Sequence, residues 1–206
     1  MKNNDNGRSM IEMLGVLAVI GILSAGALGG YSKAMLQYKL NQQIDQIHQL
    51  ISGITKYQND LYGLPRQEIF DILNGVNEIP HSMMSTNTTD LHDIFQNRIT
   101  MYTNNTTIFI LSIFLEGIKN GNLAAMRECQ NIIKVAQNWS SEIYYIQTLS
   151  AYGANNESSR MSYGNLYCTN GSNCLKDLTT QQINQICLAH SGNDAAYMEL
   201  KIRWKK

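Results

Sequence analysis

The stretch NGRSMIEMLGVLAVIGILSAGALGGY, residues 6–31, places one carboxylate, Glu12, at the lip of an apolar run. No side chain is ionised over residues 13–31. About 20 helical residues rising ~1.5 Å each cover a hydrocarbon core of about 30 Å, so the run is long enough to span a bilayer. A secretory signal is the rival reading, and Ser24, Ala25, Gly26 and Ala27 offer a small-residue cleavage site for it. Against it stands the continuation of the apolar pattern beyond Tyr31.

That continuation changes from all-round to one-sided. Leu36, Leu40, Ile44, Ile47, Ile51 and Ile54 recur at spacings of four and three, the trace of one helix face, and Lys39, Gln42, Gln43, Asp45 and Gln46 are assigned to the polar remainder. The spacing predicts one helix over residues 9–59. Gly63 and Pro65 mark its end, because proline lacks the amide that would continue the ladder.

Composition bounds the rest. The chain has 206 residues, 44% hydrophobic and 16% charged, enough for one domain with a core plus a tail. Its formal net charge is +0 and no Lys/Arg stripe is visible, so a dedicated nucleic-acid site is not expected. RQEIFDIL, residues 66–73, predicts a short helix. Residues 94–103 and 106–115 read as two strands joined at Asn104-Asn105, a hairpin. Leu123, Met126, Cys129, Ile133 and Ala136 outline the buried face of a second helix reaching about Trp139. Residues 151–173 read as a polar surface loop. TTQQ, residues 179–182, has the form of a capping box opening a helix whose Ile183, Ile186 and Cys187 face one way. Residues 198–204 alternate apolar and polar like a half-buried strand. The expected fold is α+β: a long N-terminal membrane-spanning helix packed on an antiparallel β-sheet, with additional short helices.

The motif GRSMIE, residues 7–12, followed by an apolar helix, resembles the class III signal of type IV prepilins. In that family a prepilin peptidase cuts after glycine and glutamate is the fifth mature residue; Gly7 and Glu12 stand in that register. The resemblance implies a cytoplasmic leader, residues 1–7, and a mature chain starting at Arg8, where many pilins have an N-methylated phenylalanine. Residues 8–59 would be the long helix, with 8–31 the transmembrane and filament-core part and 32–59 the amphipathic part. Residues 60–206 would be the head. The implied partners are copies of the same chain in a homopolymer, the prepilin peptidase, the pilus assembly platform with its ATPase, and the inner membrane before assembly into an extracellular pilus. Glu12 would pair with the amino terminus at Arg8 of a neighbouring copy, a charge pair in an apolar setting. Gly21, Ala25, Gly26, Gly29 and Gly30 form small-xxx-small pairs that allow close helix approach.

Four cysteines, Cys129, Cys168, Cys174 and Cys187, all follow the apolar helix, in the part that the pilin reading exports to an oxidising space. They allow three connectivities. Cys129 and Cys187 both lie on apolar helix faces, which favours their pairing beside a local Cys168–Cys174 loop; the first bridge also resembles the C-terminal disulfide of type IV pilins. Zinc held by Cys168, Cys174, Cys187 and His190 is the alternative, against which stands the lack of a C-x-x-C pair. His48, His81 and His92 form no recognisable ligand spacing, and no phosphate loop or nucleophile elbow occurs, so no catalytic residue, metal or cofactor is expected. The functional expectation is a structural subunit of a type IV pilus supporting adhesion, motility or uptake. The alternatives are a type II secretion pseudopilin and, in another class, a membrane-anchored periplasmic binding or zinc domain that does not polymerise.

Overall fold

The computed structural model describes residues 5–84, 91–104, 107–115, 118, 122–151, 160–169, 173–189 and 195–203. The chain divides into two compact units, residues 1–39 and residues 40–206, and helix α1, Asp5–Lys56, contributes to both. The second unit holds α2, Phe70–Gly75; strands β1, Leu91–His92, β2, Arg98–Asn104, and β3, Ile108–Leu115; helix α3, Leu123–Asn138; strands β4, Ile143–Ala151, and β5, Arg160–Tyr163; helix α4, Thr180–Leu188; and β6, Ala195–Arg203.

The six strands form one antiparallel sheet in the order β1-β2-β3-β6-β4-β5. The last strand thus lies between β3 and β4 and joins two hairpin-like halves. Alternation sends Ile99 and Met101 of β2, Leu111 and Ile113 of β3, and Met198 and Leu200 of β6 to one face, where all are buried. Ile47, Leu50, Ile51 and Ile54 of α1 share that core, all at 0% exposure, with Ile132, Ile133 and Ala136 of α3. The architecture is α+β, with the C-terminal part of a long N-terminal helix packed on an antiparallel sheet, a pilin-like layout.

Local chemistry accounts for the element ends. Asn122 caps α3 by accepting from the Ala124 amide at 2.9 Å. The α4 capping box is formed in both directions, with the Thr179 hydroxyl accepting from the Gln182 amide and Gln182 Oε1 accepting from the Thr179 amide. Helix α1 ends at Lys56, earlier than residue 59. The chain turns from Tyr57, whose carbonyl accepts from both Asp60 and Leu61, and Gly63 takes a left-handed φ of 84°.

Other boundaries shift for identifiable reasons. The first hairpin strand begins at Arg98 rather than 94, because Asp93 Oδ1 accepts from the amides of Phe95 and Asn97 and bends residues 93–97 into a turn with Gln96 at φ 68°. Its partner starts at Ile108; Asn105 and Thr106 lie outside the described residues. Strand β4 was hidden by a bulge between Ile143 and Tyr145 that breaks the period-2 pattern. The stretch read as a polar loop contains β5, whose four residues are too few to show a period. Leu123, expected on the buried face of α3, is 66% exposed because it is the helix's first residue. The last strand ends at Arg203; Trp204 lies outside the described residues.

The β4 bulge depends on a close backbone approach. Gly164 donates its amide to Tyr144 O at 2.9 Å, and a Cβ at that position would run into the carbonyl oxygens of Ile143 and Ser140. Gly164→Ala should lower stability by about 1–3 kcal/mol. Gly75→Ala, in α2 where a Cβ meets open space, should leave it unchanged or raise it by up to about 1 kcal/mol. Thermal denaturation of the two variants against the parent checks the contrast.

Candidate functional site

Two parts of the chain carry candidate chemistry: the apolar segment of α1 and the cysteine-bearing part of the head. In the first, the large side chains between Met10 and Tyr31 are exposed, from Ile20 at 52% to Ile22 at 75%. The segment is long and apolar enough to cross a membrane, and no part of its most apolar window is buried within the chain. Roughly a dozen such side chains, at about 1.5 kcal/mol each on full burial, give a driving force on the order of 10–20 kcal/mol for any environment that removes them from water.

Glu12 sits exposed on this surface, bordered by Gly15, Val16 and Val19 on one side and by Met13 and Leu17 on the other. Gly7 and Arg8 fall in the first turns of the same helix, and the four-residue spacing from 8 to 12 puts both positions on one face. The glycines expected to mediate packing, Gly21, Gly26, Gly29 and Gly30, would each meet nothing within 4 Å if given a Cβ. Ala25 is likewise exposed. Among the described residues nothing therefore requires these five positions to be small.

In the head, Cys129 of α3 and Cys187 of α4 are joined in a disulfide with Cα atoms 5.9 Å apart, both at 1% exposure or less. Cys168 and Cys174 close a second, local bridge with Cα atoms 5.4 Å apart. No described cysteine is free, so no thiolate remains for zinc, and among the described residues no group of three or more His, Cys, Asp or Glu could hold a metal ion. His190 lies outside the described residues. His48 instead accepts at Nδ1 a hydrogen bond from the Trp139 indole, tying α1 to the end of α3.

The sequence pattern did not reveal a polar seam under α1. Gln43 and Gln46, assigned to its solvent side, are buried at 0% and 3%. Gln43 donates to Asp93 Oδ2 at 2.8 Å and accepts from Asn131 at 3.1 Å; Gln46 donates to Ser82 Oγ at 3.1 Å and accepts from the Ile94 amide at 3.0 Å. Asn97 Nδ2 bridges Asp93 and Glu128 at 3.0 and 2.9 Å, and Asn131 also donates to Leu40 O at 2.8 Å. Each amide is satisfied twice or more, which offsets its burial and admits one axial setting of the helix. The signal was present in the spacing, since 43 and 46 lie within the 40, 47, 50, 54 stripe, but their polarity placed them outside it.

Known protein families, curated proteins and solved structures contain no match to the chain.

The two bridges differ in the loop they close, with sequence separations of 58 and 6. In the chain-entropy account the first contributes about 4 kcal/mol and the second about 2. Thermal melting of Cys129→Ala/Cys187→Ala and of Cys168→Ala/Cys174→Ala should show the larger loss in the first pair; an equal or reversed order would mean that loop entropy does not set their worth.

Proposed function

We propose that the chain is a structural subunit of a type IV pilus filament. One observation carries this reading: an all-round apolar, exposed helix with a single carboxylate at its lip, in the register of the GRSMIE motif, ahead of a disulfide-bonded α+β head. Before assembly the helix would sit in the inner membrane with the head on the periplasmic side; afterwards the same surface would form the filament core, in an extracellular pilus. Prepilin peptidase would remove residues 1–7, and an assembly platform with its ATPase would draw subunits from the membrane.

The chemistry of Glu12 supports polymerisation over mere anchoring. A carboxylate carried into hydrocarbon is costly and calls for a counter-charge. Cleavage after Gly7 creates an α-amino group at Arg8, which a neighbouring copy would present to Glu12. The pair would form in a low-dielectric setting, where attraction is strong and misregister leaves a buried charge uncompensated. The open space around Gly21, Ala25, Gly26, Gly29 and Gly30 would then serve close approach between helices of different copies. A type II secretion pseudopilus would use the same helix chemistry, and loss of cargo export on deletion would single it out.

Glu12→Val separates a polymerising subunit from a protein merely anchored by its helix. The change removes an insertion penalty of roughly 2–3 kcal/mol or less near the span's end, so membrane content should be undiminished. Leader removal and disulfide formation should proceed, while sheared filaments, compared with membrane pools by immunoblot, should lose the chain. Normal filaments built from Glu12→Val alone would contradict the pairing.

A further inference from the structure

The face of the sheet opposite the core is aromatic and cationic. Register places Phe114, Tyr197 and Leu149 in one transverse row and Glu68, Tyr102, Ile110, Lys201, Tyr145 and Tyr163 in another. Between them runs a polar row, Thr100, Ser112, Glu199 and Gln147. Guanidinium groups lie over the rings: Arg98 3.9 Å from the Phe114 centroid, Arg66 5.4 Å from Tyr102, and Arg203 5.4 Å from Tyr144 and 5.7 Å from Tyr167.

Charge is unevenly spent on this face. Glu199 is committed, accepting from Lys201 at 3.1 Å and from the Tyr102 hydroxyl at 3.2 Å, and Lys201 also donates to Tyr145 Oη at 2.9 Å and Gln147 Oε1 at 3.2 Å. Burial, then the Glu199 charge, raises the Tyr102 phenol above its ordinary range, so it stays a neutral donor. Burial pulls Lys201 down, but its bonds to Tyr145 and Glu199 outweigh this and hold the ammonium charged. Arg66, Arg98 and Arg203 form no ion pair with any described carboxylate. Among the described residues the face carries four cations against Glu68 and Glu199, in a chain of net charge +0.

Three guanidiniums pre-oriented on aromatic planes, with their N–H edges uncommitted to any described acid, match planar anions. Arg203 lies six residues along β6 from Tyr197, whose row holds the ring under Arg98, so the two sites are roughly 20 Å apart at the strand rise. The occupant is thus an extended anionic polymer. Single-stranded nucleic acid would stack bases on open ring faces. Here the rings are covered by guanidiniums or by one another, Phe114 stacking on Tyr197 at 5.4 Å and Tyr144 meeting Tyr145 edge-on at 4.8 Å. The strip at Ser112 and Glu199 is buried, at 2% and 8% exposure, and around it the face offers half-buried tyrosines, Thr100 and Gln147 beside the exposed guanidiniums of Arg66 and Arg203, groups that match sugar hydroxyls and carboxylates. We propose that this outer sheet face binds a carboxylated polysaccharide, its carboxylates on Arg98 and Arg203 and its hydroxyls on the half-buried tyrosines, Thr100 and Gln147 between.

The test is calorimetric titration of the full chain in detergent micelles with oligogalacturonate, neutral maltooligosaccharide or oligothymidylate of matched length. Because it uses unassembled chain, its outcome is independent of filament formation. Oligogalacturonate should bind with an affinity that falls as salt is raised, and maltooligosaccharide should not bind. Arg98→Gln and Arg203→Gln should each weaken binding about tenfold, with Lys134→Gln on α3 as the unchanged control. If Arg98→Gln fails to fold, seen as loss of the Cys129–Cys187 bridge, the exposed Arg203→Gln carries the comparison alone. Tighter binding of oligothymidylate, no binding of oligogalacturonate, or undiminished binding by Arg203→Gln would each overturn the assignment.

Discussion

The constraint on which the rest depends is the apolar surface around residues 13–31. It has no charged stripe to turn toward water, and its most apolar window has none of its residues buried within the chain. A helix hydrophobic all round requires lipid or other protein as its surroundings. Glu12 sharpens the requirement, because the same surroundings that satisfy Met13, Val16 and Leu17 penalise a carboxylate unless a cation comes with them. In the proposed filament both needs are met by copies of one chain: helix surfaces cover one another, and the new amino terminus of each copy meets the carboxylate of the next.

The head does not share that dependence. From Leu40 onward α1 is an ordinary core helix, with Ile47, Leu50, Ile51 and Ile54 buried under the sheet and α3. Gln43 and Gln46 fix its setting through bonds to Asp93, Ser82 and the Ile94 amide. The C-terminal strand lies inside the sheet, and Cys129–Cys187 closes the preceding 58 residues. The stability of such a head rests on its own core and bridges, so the proposed assembly would not require it to repack.

Most of this was legible where a physical signal is local or strictly periodic. The apolar span, the one-sided stripe from Leu40 to Ile54, the α4 capping box and the alternation ending at Arg203 each rest on a pattern within a few residues of itself. The failures have the opposite character. The turn at residues 93–97 depends on Asp93 bonding backbone amides, which outweighs the strand propensity of Ile94 and Phe95. The bulge at Tyr144 needs Gly164, twenty residues on, to come close. Gln43 is buried only because Asp93 and Asn131, and Gln46 only because Ser82 and the Ile94 amide, arrive from elsewhere in the chain to satisfy them. The outer-face arginines were visible as residues, but the stacking of Arg203 on Tyr144 and Tyr167 follows from strand order, which sets β6 beside β4 and which local patterns do not specify.

The measurement that bears most directly on the central claim is the identity of the chain in material sheared from the cell surface. Filaments should be visible by electron microscopy in cells that carry the chain and absent from cells that lack it. Mass spectrometry of the sheared fraction should find the chain beginning at Arg8 with residues 8–31 retained. Recovery of the chain only from the membrane, or with an amino terminus near Ala27, would contradict the account.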